Sequence, residues 1–476
     1  MPVKIDLRFP RAEVLVQEDI DCEVTVTNIG DQPAQVPHPR FDPRACGLKT
    51  TNLRTGAEET HRPLPRLPGR PRLQRLPAGK SLVTSIPLRG KIRALAPGEY
   101  EIAALFEPGE GARPIESPPT PLKVLPAMPR NLALDSIQGT VSYGVWINVG
   151  ATPPQIVRTR FETSPGGGVS EVRPIAAAAF RSKPSLSIPP NGSDGERHWI
   201  AWLDGRFLRF VHFDPTLGAS PPGQLELGQV EAELISPLCG EPTKDARVRA
   251  PASALLWVNK SGGDLEHLQV VRITAGQAIP GAQLPLAGPQ PDWMTTFARS
   301  DGSRLMGILQ QGSLRILSWT DRSFDEASPR IDIPGNVLAA GATLDAQDGV
   351  RGAILHLGMN DSKELLLLTS WQMERKGRIQ LGSSCEIAWK AKEPVSQPRV
   401  RVSDQGVAVA LLRDAKGTTF LSQGGGLTPL PDPVIKSPYP LEIAFLGGIE
   451  PILICGMESA GFQIMRVNGK PLPPRP

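Results

Sequence analysis

Apolar and polar residues alternate one by one through the first quarter of the chain. In "DCEVTVTNIGD", Cys22, Val24 and Val26 fall on one side, Glu23, Thr25 and Thr27 fall on the other, and residues 28–31 supply a turn. That period of two predicts a strand with one dry and one wet face. "KSLVTSIPL", "APGEYEIAALFEPG" and "PTPLKVLP" predict further strands bounded by Pro or Gly. About seven short strands within residues 1–125 predict a two-sheet sandwich.

From "LPAMPRNLALDS" onward the pattern changes. Pairs of apolar runs separated by turn residues recur: "YGVWINVGATPPQIVRTRF", "HWIAWLDGRFLRFVHFD", "SALLWVNKSGGDLEHLQVVRI", "RLMGILQQGSLRILSW", "GAILHLGMNDSKELLLLTSW", "GVAVALLRDAKGTTFLS" and "PILICGMESAGFQIMRV". Their first runs centre on Trp146, Ile200, Leu256, Gly307, Leu355, Ala410 and Leu453, spaced 43 to 56 residues apart. Short edge-like strands such as "GQLELG", "PRIDIPG" and "GRIQLG" follow, and one more strand with a tight turn commonly precedes each pair. Asp194-Gly195, Asp301-Gly302 and Asp348-Gly349 stand at that turn and are read as two-residue hairpins, which need positive φ. Runs such as "SALLWV" and "LLLLTSW" are apolar at successive positions, as in sheets covered on both faces. Four strands repeated seven times predict a β-propeller over residues 132–476, joined to the sandwich by a linker at 126–131. Six or eight blades, or a pair of β-sandwiches, are the alternatives.

"VTVTNIGDQPAQV" together with "LAPGEYEIAALF" resembles bacterial immunoglobulin-like domains, in which a strand ending in Thr-Asn-x-Gly leads into the next and a Pro-Gly-x-Tyr turn opens a late strand. The resemblance covers about a quarter of the chain and implies a domain that binds or spaces others. The expected fold class is therefore all-β, an immunoglobulin-like sandwich followed by a seven-bladed propeller.

Composition agrees with many turns and few helices. The 51 prolines and 47 glycines among 476 residues exceed the usual combined share of about 12%, while 40% of residues are hydrophobic. A net charge of +4 points to no polyanionic partner overall. The first residues lack the pattern of a secretory signal, and no stretch is long and apolar enough to span a bilayer. Five scattered cysteines without close pairs suit reduced thiols, so the expected setting is cytoplasmic.

Candidate chemistry is sparse. "GMESAG" has Met457 where a serine-hydrolase elbow needs glycine, the six histidines show no metal-ligand spacing, and no CxxC or phosphate loop occurs. No cofactor, metal or catalytic residue is assigned. The connections between repeats carry Trp293, Trp389, Lys390, Lys392, Lys436 and Tyr439, amphipathic residues of the kind that form a protein-binding patch. Residues 61–77 hold five arginines and no acid, and these, Arg62, Arg66, Arg70, Arg72 and Arg75, could grip phosphate. No aromatic lies among them for base stacking. The expected function is a non-enzymatic interaction protein with a protein partner. A carbohydrate-binding or carbohydrate-active propeller is the alternative, and anion or nucleic-acid binding by the arginine segment ranks third.

Overall fold

A computed structural model describes all residues except 1, 19, 39–45, 62–72, 88–94, 109–111, 138–140, 165–166, 180–181, 188–196, 228–230, 235–237, 242–250, 260–266, 275–276, 287–290, 361–362, 376, 390–394, 431–440, 458–460 and 469–476. Among the described residues every regular element is a strand, and no helix is long and apolar enough to cross a membrane. The chain divides into two units, one over Met1–Met128 with Glu171–Arg173 and Glu458–Gly461, the other over the rest.

In the first unit the alternation settles into two main sheets and a two-stranded one, Ala34–Pro37 with Leu73–Leu76. The strand Asp21–Asn28 lies between Val3–Arg8 and Ser81–Pro87, with Val24 opposite Leu7 and Val26 opposite Ile5. Cys22, Val24 and Val26 are fully buried while Glu23 stays exposed. The second sheet runs Glu13–Leu15, Thr120–Leu125, Gly98–Phe106, Cys46–Asn52, Glu58–His61, and its first pair is parallel. Ile102, Ala104 and Phe106 form part of the buried set. Thr120 Oγ1 donates to the Leu7 carbonyl at 3.0 Å, tying one sheet to the other. Tyr100, whose ring is buried, donates its hydroxyl to the Ala96 carbonyl at 2.9 Å. Of residues 126–131, those from Pro129 on enter the first strand of the second unit, where Arg130 pairs with Ile147.

The second unit contains seven successive sheets among its described residues, their strands following the order of the chain, with the last strand of the second sheet and the first of the third each split in two. The second strands are Val141–Asn148, His198–Asp204, Ala252–Asn259, Arg304–Gln310, Val350–Asn360, Ala408–Arg413 and Glu450–Met457, and they hold the seven centres that the paired runs mark. The fourth sheet shows the plan in full: Trp293–Ala298, Arg304–Gln310, Ser313–Trp319 and Phe324–Asp332. Three strands of the seventh sheet are described, ending with Gly461–Arg466.

What holds the series together is burial on both faces. On His198–Asp204, Ile200 and Trp202 join a cluster with Tyr143 and Val145 of the first sheet, while Trp199 and Ala201 join Ala254 and Leu256 of the third. Leu255 and Trp257 then pack on Met306 and Ile308 of the fourth, Leu305 and Leu309 on Ile354 and Trp371 of the fifth, Ala353 and Leu355 on Ala410 and Leu412 of the sixth, and Val409 and Leu411 on Leu453 and Cys455 of the seventh. The last step returns to the start. Phe462 meets Trp146 and Phe161 of the first sheet edge-to-face, with ring centroids 5.3 Å and 5.5 Å away. Adjacent residues on a strand thus differ in destination rather than in polarity.

Close approach fixes some positions as glycine. A Cβ at Gly352 would lie 2.1 Å from the Trp371 ring, so that indole fills the space above the neighbouring strand. All eight tryptophans belong to the second unit. Phe462→Ala removes the ring that joins the seventh sheet to the first and is expected to cost about 3–5 kcal/mol, read as a lower urea midpoint in tryptophan fluorescence, which reports the second unit alone.

Candidate functional site

Small polar residues stand between the first and second strands of the fourth, fifth and sixth sheets, and these three turns share one construction. In the fourth, fifth and sixth sheets the turns span 299–303, 345–349 and 403–407. Each closes with an N–H to carbonyl bond across five residues: Arg299 to Ser303 at 2.9 Å, Asp345 to Gly349 at 2.8 Å and Ser403 to Val407 at 2.9 Å. The fourth residue takes positive φ, at Gly302 (84°), Asp348 (62°) and Gly406 (84°). These are type I turns with an added left-handed residue rather than the two-residue hairpins expected from the Asp-Gly pairs. In the fifth sheet the left-handed position falls on Asp348 itself and not on Gly349, because a short polar side chain tolerates it. Asp194-Gly195 lies outside the described residues.

Side chains lock these turns from within. Asp345 accepts from the N–H groups of Gln347 and Gly349 at 2.9 and 2.8 Å and from Arg351 Nε at 3.1 Å. Burial alone would raise its pKa, but those donors outweigh it and hold the carboxyl below its ordinary value. Asp301 accepts from the hydroxyl and N–H of Ser303 and from Arg375, in that order of effect, and its pKa is likewise lowered.

Further bonds join one turn to the next. Arg299 Nε donates to the Asp348 carbonyl at 2.9 Å, and the Ser300 N–H to Asp348 Oδ1 at 2.9 Å. Arg351 reaches the Gln405 carbonyl at 3.4 Å, and Gln405 Nε2 donates to the Gly447 carbonyl at 3.0 Å. Four successive sheets are thereby connected at the end where their first and second strands meet. Where the turn 299–303 approaches the segment 374–377, which follows the third strand of the fifth sheet, a cleft of about 800 Å³ opens. It is lined by Arg299, Asp301, Ser303, Glu374, Arg375 and Gly377.

Two other charged clusters lie between sheets. Arg304 contacts Asp321 at 3.1 Å and Glu241 at 3.7 Å, and Arg272 lies 3.5 Å from each of the same carboxylates. The Arg304 guanidinium stands 4.7 Å above the Trp319 ring. Between the first strands of the sixth and seventh sheets, Glu442 is bracketed by Arg399 at 2.6 Å and Arg401 at 2.7 Å. Among the described residues no group of His, Cys, Asp or Glu could hold a metal ion.

Of the residues singled out from sequence, Trp293, Trp389 and Arg75 are among the described ones. Trp293 is half-buried on the first strand of the fourth sheet, its ring against Gly307, and belongs to the packing between the fourth and fifth sheets. Trp389 is half-buried beside the cluster of the fifth and sixth sheets, edge-to-face with Phe420 at 5.8 Å. Arg75 sits exposed on the strand Leu73–Leu76 of the first unit, opposite Gln35. Lys390, Lys392, Lys436, Tyr439, Arg62, Arg66, Arg70 and Arg72 lie outside the described residues. Sequence reasoning passed over Arg299 and Arg375; the one available signal was that Arg299 directly precedes a recurrent turn.

No family profile matches the chain, and no curated protein matches it. Solved structures that align with it are β-propeller-like. They include BBS1N from a complex with ARL6DN (10% identity, 73% of this chain and 98% of that one, TM-score 0.36) and the NanB sialidase from Streptococcus pneumoniae (10% identity, 96% of each chain, TM-score 0.32). An α-L-arabinanase from Penicillium chrysogenum aligns at 10% identity over 72% of this chain and 93% of its own, with a TM-score of 0.30. At such scores these likenesses carry no functional argument.

Asp345→Asn keeps the size of the side chain but weakens its bonds to three donors, and is expected to cost about 1–3 kcal/mol near neutral pH. Because the folded carboxyl has the lower pKa, its stabilisation is present above about pH 4 and is lost as pH falls further. Urea denaturation across pH 2–7 should therefore show a shallower acid decline for the variant.

Proposed function

We propose that this is a non-enzymatic interaction protein, an immunoglobulin-like sandwich followed by a seven-bladed propeller that presents a rigid loop platform to another protein. The observation that carries this reading is the array of bonded turns across the fourth to seventh sheets. A surface whose loops are tied to one another loses little entropy on docking. Its acids serve the backbone and arginines: Asp301 and Asp345 are held ionised, whereas a general acid needs a raised pKa.

For the first unit, the strand order, the parallel pairing of Lys123–Leu125 with Glu13–Leu15 and the Tyr100 hydroxyl bonded to a carbonyl four residues upstream support the immunoglobulin-like reading, since a tyrosine corner of this kind marks that sandwich. For the second, seven sheets packed in sequence with the last on the first support seven blades. Five cysteines scattered without close pairs in the sequence suit a reducing compartment.

One observation favours a carbohydrate-active alternative: Glu241 and Asp321 share the same two arginines, which keeps two carboxylates close together. The two readings separate in a single set of measurements on the full chain. The expected result is a protein recovered by cross-linking capture from native lysate, reassembled with the purified chain at defined stoichiometry, and cross-linked at residues 299–303 or 403–407. Failure to reassemble any protein complex, with hydrolysis of aryl glycosides abolished by Glu241→Gln or Asp321→Asn, would put the carbohydrate reading in its place.

A further inference from the structure

Buried charged donors in folded proteins are nearly always paired, and Arg299 departs from that rule beside a cleft. The residue is 8% exposed. Its Nε is satisfied by the Asp348 carbonyl at 2.9 Å, but its Nη2 is buried without a hydrogen-bond partner among the described residues. Such a group costs folding energy unless something else satisfies it.

Two nearby carboxylates, Asp301 and Asp348, are already committed. Asp301 Oδ1 accepts from the Ser303 N–H at 2.9 Å and the Ser303 hydroxyl at 2.6 Å, and its Oδ2 accepts from Arg375 at 2.5 Å. Asp348 gives its carboxylate to the N–H and hydroxyl of Ser300. Arg375 lines the same cleft, its side chain about half exposed, and its positive charge acts against that of Arg299. The cleft thus brings together two guanidiniums that repel each other, one of them short of an acceptor.

We propose that this cleft binds a carboxylate, held by Arg299 and Arg375 together. A guanidinium presents paired N–H groups that match the two oxygens of a carboxylate. A monoanion is favoured over phosphate because Asp301 and Glu374 share the lining and oppose a second negative charge. The cleft volume exceeds that of a carboxylate alone and accommodates the group that bears it. That group is either an acidic segment of a protein or a free organic acid, so the site stands whether or not the protein-interaction reading does.

The test is calorimetric titration of the full chain with a decapeptide containing a central glutamate, with the same peptide carrying glutamine, with sodium acetate and with inorganic phosphate. The glutamate peptide should bind at least about tenfold more tightly than the glutamine peptide, the loss of one charge-assisted hydrogen bond. Arg375→Ala should weaken it by a similar factor, and Arg299→Lys, which keeps the charge but not the fork, should do so too. Arg375 is exposed enough that its removal leaves the fold intact, as circular dichroism would verify. Acetate binding as tightly as the peptide identifies a free acid as the source; a clear advantage of the peptide identifies a protein. Absence of binding to wild type, equal binding of the glutamine peptide, phosphate binding as tightly as the carboxylates, or unchanged affinity in Arg375→Ala would overturn the proposal.

Discussion

Two-sided burial of the middle strands is the constraint on which the second unit depends. A strand such as His198–Asp204 sends Ile200 and Trp202 to one neighbouring sheet and Trp199 and Ala201 to the other. No sheet of this kind can be stable alone, because removing either neighbour leaves a full apolar face in water. An open row would only move the problem to its two ends. Contact of Phe462 with Trp146 and Phe161 resolves it by making the ends neighbours, and the seven cores become one cooperative assembly.

With the sheets fixed by their faces, their polar ends are brought close enough for the turns to bond to one another. The turn 299–303 leans on 345–349, which reaches 403–407, which reaches Gly447. Asp301 and Asp345 are each engaged twice, by their own turn and by an arginine, while Asp348 accepts from Ser300 of the neighbouring turn. Asp301 and Asp348 are thus claimed by the turns before they could serve Arg299, whose Nη2 is left without an acceptor. Charge at this end follows from backbone requirements as much as from any ligand.

The repeat was legible in sequence because a strand buried on both faces must be apolar at successive positions, and paired runs of that type are uncommon elsewhere. Trp146, Ile200, Leu256, Gly307, Leu355, Ala410 and Leu453 all lie on second strands. The alternation at Cys22, Val24 and Val26 was equally direct, since one face is wet. Turn type was harder: the dipeptide Asp-Gly suggests where positive φ should fall, yet in the fifth sheet Asp348 adopts it. Trp293 and Trp389 border connections between sheets and are each half-buried, their rings set against Gly307 and Phe420, a packing that residue type alone does not announce. The cleft left almost no trace, because Arg375 comes from a turn 74 residues beyond Asp301 and only the pairing of adjacent sheets brings them together.

Closure of the series by Phe462 has a consequence in the cell. The face of the first sheet that this ring covers is made more than three hundred residues earlier, around Trp146. At a synthesis rate of roughly 5–20 residues per second, that face waits on the order of 15 to 60 s on the ribosome before its partner exists. A chain that stops a few residues short of Phe462 is therefore left with the apolar faces of its first and seventh sheets unjoined, a ready target for chaperones and proteases. Nonsense and frameshift changes in the codons leading up to Phe462 are therefore expected to be as damaging as those at the centre of the second unit.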